Sequence, residues 1–300
     1  MINKKTWAPY LFLSPYVILF LLFSIFPIFF SLWISFNHWN GFNPPDFAGI
    51  ENYINILRND PRFFIAVRNT FIFMAMIIPV QIIGAFLIAN LLNSTLLIGK
   101  SFFRTVFFLP FLTTPIAIGV IFAQLFERNN GVINQMLMNW GFIEQNINWT
   151  GEVWLSRFMV SAVTVWRFTG HTAIIFLAGL MNINPELYEA AEIDGANRFQ
   201  KMIRITLPLM KNVRNFVIIT VVIGCFGIFE EPLMIFSNTT GITGGPQHSA
   251  LTGTWLFFDV GFSAQLRFGY ASAISFLLFL FIATLTLVIT KVLNVGGESD

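Results

Sequence analysis

Four stretches of this chain, residues 6–37, 69–99, 105–126 and 268–290, contain no Asp, Glu, Lys, Arg or His. Each is long enough to cross a bilayer core of about 30 Å, which takes about 20 apolar residues as a helix. Inside lipid every backbone N–H and C=O has to be satisfied within the segment, so these runs are predicted as helices. Two further apolar runs are interrupted: 158–184 by Arg167 and His171, and 215–237 by Glu230 and Glu231. A membrane β-barrel would alternate in polarity over segments of about 10 residues, and that pattern is absent. A composition of 56% hydrophobic residues with 11% charged ones excludes an ordinary soluble domain. The prediction is an all-α integral membrane protein, a single domain over 1–300. Its six transmembrane helices fall at about 11–36, 68–92, 103–126, 155–182, 213–236 and 268–293.

The basic residues orient it. With the N-terminus inside, the inner segments hold ten Lys and Arg and the outer segments six. That bias predicts N-in and C-in, with 184–212 cytoplasmic and carrying four of the ten, Arg214 following just after it. Lys4 and Lys5 precede the first run as they would in a signal peptide, but the run is far longer than a signal core, so a retained helix is expected. In the outer loop 127–156, Val132, Ile133, Met136, Leu137 and Trp140 recur at helical spacing, as in a short helix lying on the membrane surface. Cys225, the only cysteine, falls in a predicted span and has no disulfide partner. Gly99-Lys100-Ser101 imitates the end of a phosphate-binding loop, but Ser94 stands where that loop needs its first Gly. The triplets at Asn93, Asn148 and Asn238 are read as chance glycosylation-type matches.

The cytoplasmic segment carries the sharpest pattern. Asn184-Pro185-Glu186 is a helix start: a good N-cap, a proline in the first turn and an acid at the positive end of the dipole. Gly195 is a natural stop, and a second helix is expected from about Asn197 to Ile205. A solvated hairpin joining two spans would account for the charges, though not for Ala190, Ala191 and Gly195 in particular. Glu189-Ala190-Ala191, three residues, Gly195, nine residues, then Ile205-x-Leu207-Pro208 resembles the EAA motif of binding-protein-dependent ABC importer permeases. Asp194 before the glycine is also typical. The chain is similar to the carbohydrate-uptake branch, the larger maltose-type permease subunit in particular. The similarity is carried by residues 9–15, Phe107-Phe108-Leu109-Pro110, Gly244-Gly245-Pro246 and residues 269–273.

The resemblance implies a type I importer bundle in a bacterial cytoplasmic membrane, with 184–212 as a coupling loop docked in a cytoplasmic ATPase. Glu189, Ala190, Ala191, Asp194, Gly195, Ile205, Leu207 and Pro208 would form the docking element. Further implied partners are a second homologous permease and an extracytoplasmic solute-binding protein, with no nucleic acid involved. The chain would bind no cofactor and hydrolyse nothing itself; ATP and Mg would sit on the ATPase.

Ionisable groups at membrane depth face a bundle interior or water. Arg167 and His171 share a helix face, and Trp166 beside them could stack on a sugar ring. With Cys225, Phe229 and Glu230 they form a candidate solute path, although packing alone would also explain them. Arg167 lies about 18 Å along its helix and the Glu pair about 25 Å along the next, counted from opposite ends. A direct Arg167–Glu230 pair therefore has a vertical mismatch of about 10 Å to close, and the Glu pair is expected at a solvated rim. A sugar or oligosaccharide is the expected solute. The alternatives are an anionic solute held by Arg167, such as a uronate or glycerol-phosphate type, an ion-coupled secondary transporter, and a membrane assembly protein.

Overall fold

A computed structural model describes residues 8–94, 96–236, 243–263 and 266–294. Lys4, Lys5 and the Asn238 triplet lie outside the described residues. Among the described residues the regular structure is helical, apart from a two-stranded antiparallel ribbon of β1 (Asn37–His38) and β2 (Asp46–Phe47). Among the described residues, five helical segments are long and apolar enough to cross a membrane: Tyr10–Ser35, Pro61–Asn93, Val153–Met181, Lys211–Phe236 and Phe268–Val292. A sixth candidate is a pair of helices bent by 91°.

Two compact units are distinguished by their contacts. One holds the residues up to Phe63 together with Leu256–Phe279; the other holds Phe64–Trp255 and the residues from Leu280 onward. In the first, α1 (Ala8–Phe20) passes through a π-helical turn, Leu21–Ile25, into α2 (Phe26–Ser35). The turn sits just before Pro27, whose missing N–H cannot continue the ladder. The ribbon and α3 (Glu51–Asn59) follow, and buried Asn52 fastens them by donating to Ser35 O and Asn37 O at 3.0 Å each. The start of α4 (Pro61–Asn93), the end of α14 (Gly253–Phe262) and the start of α15 (Phe268–Val292) belong here too.

The second unit holds the rest of α4, then α5 (Lys100–Leu112), α6 (Pro115–Leu125), α7 (Val132–Asn139) and α8 (Val153–Met181). It continues with α9 (Glu186–Ile193), α10 (Arg198–Lys201), α11 (Leu207–Leu209), α12 (Lys211–Phe226) and α13 (Glu230–Phe236). Three expectations are corrected. The third span is not one helix over 103–126 but α5 and α6, broken at Thr113 and Thr114, because a residue before proline is pushed out of the helical region and Thr114 precedes Pro115. The fifth span breaks after Phe226, and the freed carbonyls are taken by hydroxyls: Thr254 Oγ1 donates to Phe226 O at 2.7 Å and Thr252 Oγ1 to Ile228 O at 2.5 Å. The second span begins at Pro61, two turns before the expected 68, because Arg62 at its start is matched by Asp60 and Asp259 at 3.3 Å each.

Small residues let these helices meet backbone to backbone. A Cβ at Gly170 of α8 would lie 1.7 Å from Phe107 O of α5, and one at Gly119 of α6 would lie 2.2 Å from Met234 Cβ of α13.

Candidate functional site

Two places in the second unit gather the sequence-predicted residues. The first is a cavity of about 150 Å³ among α4, α5, α8 and α12. Its wall is mostly apolar, with Ile77, Phe111, Phe168, Val217 and Ile228. Gln81, Thr164, His171, Thr172 and Thr220 supply the polar groups, and buried Cys225 adds its thiol. Several of these groups are already committed. Gln81 Nε2 donates to Thr172 Oγ1 at 2.9 Å, and the hydroxyls of Thr164, Thr172 and Thr220 donate to Val160 O, Phe168 O and Phe216 O, one turn back along their own helices. His171 is held by stacking, with its ring centroid 4.3 Å from Phe111 and 6.1 Å from Phe108. Its nitrogens make no hydrogen bond among the described residues.

Of the predicted path, only His171 and Cys225 line this cavity. Trp166 turns away and lies against Phe122, with centroids 5.2 Å apart. Phe229 and Glu230 do not line the cavity either. Arg167 is paired, through Nη1, with Glu231 Oε1. The expected solvated rim is corrected here: Glu231 is 3% exposed. The mismatch of about 10 Å rested on a continuous fifth span counted at 1.5 Å per residue; the break after Phe226 lets α13 take its own course and carry Glu231 to Arg167. The partner is Glu231, not Glu230, which is exposed. What the sequence reading missed in the cavity is Gln81, Thr164, Thr172 and Thr220. Neutral side chains in an apolar run carry no warning of their depth, and the only clue was that Thr164 and Thr172, eight residues apart, share one face of α8.

The second place is the segment after α8. Asn184 Oδ1 accepts from Glu186 N–H at 3.1 Å and starts α9. Gly195 ends it at φ +78°, where a side chain would be strained, with Gly195 N–H donating to Glu192 O and Ala196 N–H to Ala191 O. Asn197 caps α10 in a reciprocal capping box with Gln200. The second helix is shorter than expected: α10 stops at Lys201 and a π-helical turn, Met202–Thr206, leads into α11 and Pro208. The segment ties itself together through Tyr188 Oη and Thr206 Oγ1 at 2.9 Å and through a Lys201–Glu192 ion pair. Lys201 donates to the Glu192 carboxylate and holds it below its ordinary range. Glu189 and Asp194 are different. Both are exposed and make no side-chain hydrogen bond or ion pair among the described residues. Ile193 beside them is 88% exposed. A rigid hairpin thus presents two uncommitted carboxylates, Ala190 and one large apolar side chain.

No family model matches the chain. It is similar to the lactose transport system permease protein LacF of Rhizobium radiobacter, 36% identical over 80% of this chain and 78% of that one. It is 35% identical to the arabinooligosaccharides transport system permease protein AraP of Bacillus subtilis, over 96% of this chain and 89% of that one. Among solved structures it aligns with a bacterial ABC transporter involved in the import of the acidic polysaccharide alginate. The TM-score is 0.76 at 22% identity, covering 98% of each chain, and the likeness is one of fold.

Proposed function

The chain belongs to the permease subunits of sugar ABC transporters, non-enzymatic multi-pass proteins of the bacterial inner membrane; from that premise we propose that it carries a neutral sugar or oligosaccharide by alternating access, driven by a separate ATPase docked on α9. The observation that carries the reading is the hairpin of 184–210. Its internal polar groups are satisfied, while Glu189 and Asp194 point outward with no partner of their own among the described residues. In a membrane protein, such a surface fits a protein cleft with basic residues.

In this reading the N- and C-termini are cytoplasmic, and ATP and Mg sit on the ATPase dimer. A solute-binding protein delivers the sugar from outside, and a second, similar permease completes the pathway. A cavity of about 150 Å³ is smaller than the range of about 300–1,000 Å³ usual for ligand sites. An oligosaccharide would enter only after the helices around it part, as alternating access requires. Arg167 does not favour an anionic solute, because Glu231 already neutralises it.

The test is uptake and ATPase activity of the assembled transporter in proteoliposomes. Gly195→Pro cannot adopt φ +78°, since proline fixes φ near about −65°. Gly195→Pro and Glu189→Gln are expected to leave membrane insertion intact and to abolish or sharply reduce sugar-stimulated ATP hydrolysis and uptake. Normal uptake by a correctly assembled Gly195→Pro transporter would overturn the coupling role, and uptake driven by an ion gradient without ATP would overturn the mechanism.

A further inference from the structure

The first unit contains a cleft of about 490 Å³ that plays no part in the pathway above. It is formed by the turn around the β1–β2 ribbon, by α3 and by the start of α15. Trp39, Asn43, Asp46, Glu51, Asn55 and Arg267 line it. On the reading that 184–210 is cytoplasmic, alternation of the spans places the cleft on the outer side.

Its chemistry is specific. The Trp39 ring is backed by Phe268 at 5.7 Å and edge-on by Phe30 at 6.1 Å. Its indole N–H is already donated to Asn43 O at 2.8 Å. What remains for a ligand is a fixed apolar surface that loses little freedom on contact. The Arg267 guanidinium is held 4.2 Å over the Tyr270 ring and makes no ion pair among the described residues, so its donors are available. Asp46 and Glu51 supply acceptors; His38 Nε2 lies 3.7 Å from the Glu51 carboxylate. Asn55 Oδ1 accepts from Asn59, which leaves its own N–H₂ free to donate. A rigid aromatic wall with fixed donors and acceptors of both kinds matches a hydroxyl-rich ring, since each hydroxyl both donates and accepts. Two carboxylates against one guanidinium disfavour an anionic ligand. The size also fits, being inside the usual range of about 300–1,000 Å³.

We propose that this cleft is an outer binding site for a neutral sugar ring, stacked on Trp39 and hydrogen-bonded to Glu51, Asp46 and Arg267. The proposal deepens the sugar-permease reading and rests on it for sidedness only. Occupancy is read by thiol protection. Cys225 is the chain's only cysteine and is buried, so the unaltered chain is the blank. Asn43→Cys places a thiol at the cleft rim, where the Asn43 side chain makes no hydrogen bond among the described residues. Asn139→Cys, exposed on α7, is the control.

The assembled transporter in nanodiscs is treated with a sulfonated maleimide in the presence of lactose, arabinotriose or maltotriose, each alone, or of trigalacturonate. At least one neutral sugar should slow labelling at position 43 severalfold and leave position 139 unchanged. Glu51→Gln and Arg267→Gln should each weaken that protection by about tenfold, the ratio that losing one charge-assisted hydrogen bond of about 1.4 kcal/mol gives. No slowing by any neutral sugar, equal slowing by trigalacturonate, or protection unchanged in both variants overturns the proposal. Uptake measured in parallel separates the two readings. Uptake of a neutral sugar without protection sinks the cleft alone; protection without uptake of any sugar sinks the importer reading alone.

Discussion

Arg167 on α8 and Glu231 on α13 form an ion pair buried within the second unit, and Arg167 Nε has no further partner among the described residues. A buried pair is weak evidence of stabilisation, because its attraction is largely offset by desolvation, but breaking it strands a charge at a cost of about 3–5 kcal/mol. Arg167→Gln or Glu231→Gln alone should therefore lower the melting temperature of the purified transporter markedly. The double substitution should recover much of the loss, since two neutral amides can hydrogen-bond to each other. A double variant as unstable as the sum of the singles would show that the pair is not an isolated unit. Uptake of neutral sugars by the stable double variant should persist, which checks that the charge is not needed for transport.

Gly170→Ala tests the backbone contact between α5 and α8. The added Cβ would meet the Phe107 carbonyl oxygen at 1.7 Å and its carbon at 2.5 Å, and a backbone group cannot rotate aside as a side chain can. Overpacking usually costs about 1–3 kcal/mol, and this site belongs at the upper end. Folded yield in membranes and melting temperature should both fall. An unchanged melting temperature would mean that α5 shifts freely, and with it the Phe111 wall of the cavity.

Much of this was legible in the sequence because lipid imposes length and polarity rules that a single chain displays. The spans and both ends of α9 follow from runs, caps and breakers. The α5–α6 bend was also written there, in Thr114-Pro115, and the fifth-span break in Gly227, but hydropathy averages over both. Treating the fifth span as a rod misplaced Glu231 by about two turns, and with it the partner of Arg167. The cavity wall was legible only in part. His171 stands out because it is ionisable, whereas Gln81 and Thr172 matter because two helices bring them to 2.9 Å, and no local pattern encodes that.

Glu192 offers a pH test of the hairpin. The hydrogen bond and the charge of Lys201 hold its carboxylate below the ordinary 4.5. A depressed acid contributes stability above its unfolded value, and that contribution fades as pH falls through the folded value. The tie should thus be complete at neutral pH and loosen only in acid below 4.5. Lys201→Met should bring the Glu192 midpoint back up toward 4.5, read by carbon NMR of labelled glutamate in nanodiscs. A midpoint that does not move would mean that Lys201 does not hold Glu192 in solution.

Asn69 is saturated on every side. Its Nδ2 donates to His248 O at 2.7 Å and to Leu251 O at 2.9 Å, and its Oδ1 accepts from Arg157 Nη2 at 2.9 Å. Arg157 is 5% exposed and has no carboxylate partner among the described residues; Ser249 O at 3.3 Å and the Trp154 ring at 4.9 Å are its other contacts. This one amide therefore joins α4 and α8 to the 248–251 turn. Asn69→Leu keeps the branched shape but leaves a buried cation and two carbonyls short of partners, each unsatisfied group costing about 1–3 kcal/mol and more for the charge. Asn69→Asp is the sharper case. It would give Arg157 a counter-ion, yet it removes both donors and aims a carboxylate at two carbonyl oxygens. Both variants should lower the melting temperature and speed proteolysis of the turn, with Asp no better than Leu. A stable Asn69→Asp transporter would mean that the unpaired charge of Arg157, and not the two carbonyls, decides why an amide stands at this position.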